Sequence, residues 1–244
     1  MSTAADRGLA FVPGERLAPL VRLRMIGVFG GTFDPVHLGH LRPALELTEA
    51  LGLDRVAWIP CRQPPHRGQP VASPEQRLRM LQAAVEGVPG FHTDQRELRR
   101  QGPSYMVDTL ESLRQELVRE PLCLLLGMDA FLGLSGWHEW RRILDLAHIV
   151  VAERPGWERP QRGALAGLVA ERVTERVEDL RARPAGRILF RAVTRLEISA
   201  TEIRTRVAAG HSARFLVPER VREIIEQENI YSAAGIPADR QGEN

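Results

Sequence analysis

At 244 residues, 43% of them apolar and 26% charged, the chain has the length and balance of one substantial globular domain. Its 33 basic and 31 acidic side chains leave a formal charge of +2, which makes no case for a nucleic-acid or membrane-surface partner. Every basic side chain is arginine; lysine is absent, which excludes a P-loop built on G-x-x-x-x-G-K-[ST].

Residues 1–24 carry Arg7, Glu15, Arg16, Arg22 and Arg24 and no uninterrupted apolar core, so they read as a loosely ordered extension rather than a signal peptide. Met25 would open the first strand directly, and an initiation at that position fits the pattern equally well. The domain is expected over 25–231, with a disordered tail at 232–244.

Met25 to Phe29 is a short apolar run that predicts a strand. It leads into Gly30-Gly31-Thr32-Phe33-Asp34-Pro35-Val36-His37-Leu38-Gly39-His40. Glycines let backbone approach a ligand closely, and free N–H groups at a helix start attract anions. His37 and His40, three apart, face the same way on a helix's first turn. Two imidazoles beside a phosphate-accepting turn point to phosphate chemistry.

Leu38 to Leu51 reads as a helix ended by Gly52, and Arg55 to Pro60 as a strand. Pro64-Pro65-His66-Arg67-Gly68 is a loop by its breakers. Ser73-Pro74-Glu75-Gln76 has the cap, first-turn proline and glutamine of a helix start, and that helix runs to about Glu86. Phe91 to Asp94 predicts a short strand, and Tyr105 to Arg119 a helix with Val107, Leu110, Leu113 and Leu117 on its apolar face. Leu122 to Leu126 and Ile149 to Ala152 are continuous apolar runs, expected of strands covered on both faces. Arg162 to Arg181 reads as one charged, surface-lying helix, and Arg187 to Val193 as the last strand. Thr201 to Ala208 and Glu219 to Glu228 complete a helical C-terminal part. Strand and helix signals in alternation predict an α/β fold, a doubly wound and mostly parallel sheet with ligands beyond its carboxyl edge. Cys61 and Cys123 lack metal or redox spacing and read as free thiols of a reducing compartment, and no metal site is indicated. No apolar run approaches the roughly 20 residues that span a bilayer.

The pattern G-x-F-x-P-x-H-x-G-H at 31–40 resembles the signature of the nucleotidyltransferase superfamily, whose fold is Rossmann-like. A second stretch, Ile198-Ser199-Ala200-Thr201-Glu202-Ile203-Arg204, is by itself a well-capped helix start, but it resembles that superfamily's downstream I-S-[ST]-[ST]-x-I-R element. Three further stretches narrow the resemblance: Gly102-Pro103-Ser104-Tyr105-Met106-Val107-Asp108-Thr109-Leu110, Gly127-Met128-Asp129-Ala130-Phe131, and Trp137-His138-Glu139-Trp140. With Pro64-Pro65-His66 they resemble the bacterial nicotinate-nucleotide adenylyltransferases, over about residues 25 to 231.

That resemblance implies transfer of the adenylyl group of ATP to nicotinate mononucleotide, giving deamido-NAD and pyrophosphate in the cytoplasm, with Mg²⁺ carried on the ATP phosphates. It implies His37 and His40 as the catalytic residues. ATP would be bound by Gly30, Gly31, Thr32, Phe33, Gly39, His40, Asp129, Ile198, Ser199, Thr201 and Arg204. The nicotinate nucleotide would meet Thr32, His66, Arg67, Tyr105, Met106, Trp137 and His138, with the Trp137 ring on the pyridine and backbone N–H groups near Met106 on the carboxylate. Asp129 would otherwise cap the helix that follows it. Three residues depart from the family's usual choice: Met106 for threonine, Arg67 for lysine, and Ala200 for serine or threonine. Arginine for lysine keeps charge but changes geometry. The resemblance implies small-molecule partners only, and a homo-oligomer is compatible with it. Rival readings are an adenylyltransferase acting on phosphopantetheine or nicotinamide mononucleotide, and a non-catalytic nucleotide sensor. A dehydrogenase lacks support because the glycine turn does not follow G-x-G-x-x-G, and a synthetase would need a lysine-containing K-M-S-K-S-like loop.

Overall fold

Six apolar runs become the six strands of the computed structural model, which describes residues 23–65, 68–153, 158–194 and 196–232. They are β1 (Ile26–Gly31), β2 (Arg55–Pro60), β3 (Phe91–Thr93), β4 (Leu122–Gly127), β5 (His148–Glu153) and β6 (Ile188–Ala192). Their order is β3-β2-β1-β4-β5-β6, and every pairing is parallel. From β1 the chain winds outward through β2 and β3, then returns to the other side of β1 for β4. The direction of winding therefore reverses between β1 and β4, and ligands in such sheets bind outside the carboxyl ends of the strands at that point.

The helices are α1 (Leu38–Leu51), α2 (Pro74–Val85), α3 (Arg96–Arg99), α4 (Met106–Glu116), α5 (Met128–Leu132), α6 (Ile143–Leu146), α7 (Gly163–Arg172), α8 (Val177–Arg181), α9 (Ala200–Ala208) and α10 (Glu219–Gln227). Alternation along each strand divides the core in two. In β4, Leu122, Leu124 and Leu126 pack with Leu110 and Leu113 of α4 and with Phe131 and Ile143. Cys123 and Leu125 turn to the opposite face, with Leu47 and Leu51 of α1, Met80 and Leu81 of α2, and Val221 of α10. Continuous apolar runs are what a strand needs when both faces are covered. No described helix is long and apolar enough to cross a membrane.

Local signals set most boundaries. Gly52 ends α1 in the left-handed region, at φ 61°, where a side chain would be strained. Ser73 caps α2 through the reciprocal bonds of a capping box with Gln76.

Three expectations need correction. The segment 162–181 is two helices, because Val173 and Thr174 leave the helix and lie along β6: Val173 bridges Ile188, and the Thr174 N–H donates to the Ile188 carbonyl at 2.8 Å. Two β-branched residues favour that extended path. Nor is the segment wholly surface-lying, since Leu165 and Leu180 are buried. α4 stops at Glu116 rather than Arg119, where the Arg114 guanidinium takes up the carbonyls of Leu117 and Glu120 at 2.7 and 2.9 Å. The short helix α3 had no periodicity to announce it. Residues 1–22, His66, Arg67 and 233–244 lie outside the described residues, and with them most of the expected extension and tail.

Candidate active site

At the carboxyl edge of the sheet, over the β1/β4 reversal, lies a cavity of about 1140 Å³. Its wall is built first from β1 and the turn after it. Gly30 lies against α4: a Cβ there would stand 2.5 Å from the Met106 Cε. Phe33, at φ 52°, holds a conformation that costs a non-glycine residue of order 1 kcal/mol or more, and its buried ring (2% exposed) keeps it there.

His37 stands at the N-cap of α1 and His40 in its first turn. The His37 N–H donates to His40 Nδ1 at 3.4 Å, which leaves the ring proton of a neutral His40 on Nε2. The two imidazoles lie 3.8 Å apart at 30°. Phe33 meets His40 edge-on at 5.4 Å. His37 is thus the cap of the helix rather than a member of its first turn, yet the two side chains do share one side.

α9 begins at the same cavity. Ser199 is its N-cap, and its hydroxyl accepts the Glu202 N–H at 3.1 Å, the capped helix start expected there. Its own O–H is left to donate. Arg204 donates from Nη1 to the Asp34 carbonyl at 2.8 Å and from Nη2 to the Thr201 hydroxyl at 3.1 Å. What joins the two helix starts is Gly39, where a Cβ would stand 3.0 Å from the Ile198 carbonyl oxygen. Two helix N-termini therefore converge with an arginine and a histidine pair, a setting that favours a polyanion.

The far wall comes from α4, α5 and the segment after it. Tyr105 stacks on His138 at 4.3 Å, and Trp137 stands half-buried beside them. Asp129 does not cap α5, because Gly127 does; its Oδ1 folds back to within 2.6 Å of where a Cβ on Gly127 would lie. Every described residue expected in the site lines this one cavity: Gly30, Gly31, Thr32, Phe33, His37, Gly39, His40, Tyr105, Met106, Asp129, Trp137, His138, Ile198, Ser199, Thr201 and Arg204. His66 and Arg67 fall outside the described residues.

Three buried charged residues in or behind the wall, Asp34, Arg77 and Glu97, had no role anticipated. Asp34 accepts from the Val71 and Ala72 N–H groups and from the Tyr231 hydroxyl. Arg77, 0% exposed, donates to the carbonyls of Thr32 and Cys61 at 2.8 and 2.7 Å, and to those of Ala72 and Arg62 at 3.3 Å each. It ties the ends of β1 and β2 together. A signal for it existed: Arg77 falls on the stripe of α2 that otherwise carries Met80, Leu81, Ala84 and Val85. Glu97 accepts the Thr109 hydroxyl at 2.6 Å, and burial pushes its carboxyl above the usual carboxylate range. Cys61 also lines the cavity, but burial raises its thiol, so it is held protonated and unsuited to nucleophilic attack. Among the described residues no group of three or more histidine, cysteine or acidic side chains could hold a metal ion.

A cytidylyltransferase-like family model matches residues 28–206. A protein of Methylococcus capsulatus named "Probable nicotinate-nucleotide adenylyltransferase" is 52% identical over 209 residues, which is 85% of this chain and 100% of that one. One of Halorhodospira halophila with the same name is 53% identical, over 86% and 96% of the two chains. The chain belongs to the nicotinate-nucleotide adenylyltransferase family. A relative in Aeromonas hydrophila is 47% identical over 86% and 98%. Among solved structures, the Plasmodium falciparum nicotinic acid mononucleotide adenylyltransferase complexed with NaAD has a TM-score of 0.64 at 14% identity, over 85% of this chain and 97% of that one. At that identity the likeness speaks for a shared Rossmann-like nucleotidyltransferase fold.

Proposed function

We propose that the chain transfers the adenylyl group of ATP to nicotinate mononucleotide, releasing pyrophosphate and giving nicotinate adenine dinucleotide. The observation that carries this reading is the contact of Gly39 with Ile198, which brings the two phosphate-facing helix starts to one cavity opposite the aromatic group of Tyr105, Trp137 and His138.

In this reading the 5′-phosphate of the acceptor attacks the α-phosphorus of ATP in line, and pyrophosphate leaves. Such a transfer depends on positioning and charge neutralisation rather than a covalent nucleophile. His40, with its proton on Nε2, donates to an α-phosphate oxygen, and His37 beside it shares the charge that develops there. The start of α9, the Ser199 hydroxyl and the Arg204 guanidinium hold the β- and γ-phosphates, while Asp129 takes the nucleotide ribose. Gly30 and Gly31 let the nucleotide lie close to the backbone beside Thr32 and Phe33. On the acceptor side, Trp137 stacks on the pyridine, and backbone N–H groups at Tyr105 and Met106 bind the carboxylate; Thr32, His66, Arg67 and His138 complete that subsite. A carboxylate met by backbone tolerates methionine at 106.

The divalent cation of the reaction is assigned as Mg²⁺ arriving on ATP, held by phosphate oxygens and water. A site whose described residues offer no carboxylate cage suits an ion carried by its substrate. We place the enzyme in the cytoplasm, in keeping with two buried thiols left unpaired. Pyrophosphate release with MgATP tests the whole reading: nicotinate mononucleotide is expected to be strongly preferred over nicotinamide mononucleotide and phosphopantetheine. Preference for either of the others would overturn the acceptor assignment, and no turnover with any would overturn the reaction.

A further inference from the structure

Asp34 sits in the turn between β1 and α1, 5% exposed, and nothing in the reaction above uses it. Its carboxylate is filled by three donors: the Val71 N–H at 2.8 Å, the Ala72 N–H at 3.0 Å and the Tyr231 hydroxyl at 2.7 Å. The same residue's carbonyl accepts Arg204 Nη1, and that nitrogen stands 3.9 Å from Asp34 Oδ2. The two already form a loose ion pair, and a small rotation of the carboxylate would shorten it into a hydrogen-bonded one. Arg204 would then spend more of its charge on Asp34 and less on a ligand.

Three donors oppose that rotation: the Val71 N–H on Oδ2, and the Ala72 N–H and the Tyr231 hydroxyl on Oδ1, of which Tyr231 is the one side chain. It lies just past α10, 1% exposed and at φ 65°, with the preceding Ile230 N–H bonded to the Ile225 carbonyl. α10 is fastened to α2 where Glu228 accepts from Arg79 and Gln76. The ring is therefore held by packing that does not depend on Asp34. Burial and the adjoining Asp34 carboxylate hold the phenol well above its ordinary range, so it stays a neutral donor. A charge-assisted bond of this kind is roughly twice as strong as a neutral one.

We infer that Tyr231 is a positioning residue for the triphosphate: by holding the Asp34 carboxylate it keeps the loose Asp34–Arg204 pair from closing and drawing the guanidinium away from a ligand. The inference rests on reading Ser199 to Arg204 as the triphosphate site, and it assigns to the far C-terminal end of the domain a part in nucleotide binding.

Calorimetric titration with MgATP, which needs no acceptor, tests it. Arg204→Ala is expected to weaken binding about tenfold or more, and Tyr231→Phe about fivefold. Both routes pass through one guanidinium, so the double variant binds no more weakly than Arg204→Ala alone. Asp34→Asn removes the competing charge and makes Tyr231→Phe silent for MgATP affinity. A merely structural tyrosine would lower the melting temperature and leave the affinity of the folded protein unchanged. Wild-type affinity in Tyr231→Phe, multiplied losses in the double variant with Arg204→Ala, or a further loss on adding Tyr231→Phe to Asp34→Asn would each overturn the proposal. Wild-type affinity in Arg204→Ala would instead overturn the reading of the triphosphate site.

Discussion

Gly39 and Ile198 meet where no side chain fits: a Cβ on Gly39 would lie 3.0 Å from the Ile198 carbonyl oxygen and 2.9 Å from Nδ1 of His37. One missing methyl group thus sets both the spacing between two helix starts and the pose of a candidate catalytic ring. Gly39→Ala gains helix propensity, which offsets only part of the cost of these close contacts. The expected outcome is a loss of kcat/KM on the order of 10²-fold, since displacement of a reacting constellation by about 1 Å costs that much. Steady-state kinetics beside a thermal melt separate the two effects; an active Gly39→Ala would mean the helix starts need not be this close.

His40→Ala removes the ring whose Nδ1 is taken by the His37 N–H. We expect kcat to fall by about 10² or more, as for other donors aimed at developing charge, with KM for ATP changing much less. Wild-type kcat in His40→Ala would remove the histidine from the chemistry.

Trp137 stands half-buried at the cavity wall, beside the Tyr105 and His138 stack. Trp137→Ala should raise KM for nicotinate mononucleotide about tenfold, the size of an aromatic stacking contact of about 1.4 kcal/mol, and leave KM for ATP near its starting value. An equal rise in both constants would point to a general collapse of the wall.

His148 opens β5 fully buried, with Nδ1 accepting the Arg187 N–H at 3.1 Å and Nε2 placed 2.9 Å from the Arg183 carbonyl. Burial lowers its pKa below 6.5, so the folded state keeps it neutral where the unfolded chain takes up a proton. Its contribution to stability is therefore complete above pH 6.5 and declines as the pH falls below that value, towards the folded-state pKa. Melting temperatures measured down through that range should fall for the wild type. His148→Gln should be less stable throughout but flatter over the same interval; an unchanged slope would show that other groups set it.

The fold was legible because its signals are local. Continuous apolar runs such as Leu122 to Leu126 announce strands covered on both faces, and Gly52 and Ser73 mark helix ends by conformation and capping alone. The candidate site was legible wherever chemistry sits in consecutive residues, as in His37 to His40 and Ser199 to Arg204. The one long helix expected over 162–181 failed because its break depends on a partner, β6, that Val173 and Thr174 join only in the folded sheet.

Residue order by itself therefore determined the strand and helix alternation, the glycine turn and the two helix-start motifs that line the cavity. Tertiary structure alone decided that Gly39 would admit the Ile198 carbonyl, that Arg77 would tie β1 to β2, and that Tyr231 would reach Asp34 from 197 residues away. The reason is physical: propensity and capping act within a few residues, whereas a buried charge or hydroxyl is placed by whichever distant donor or acceptor the packed core brings to it.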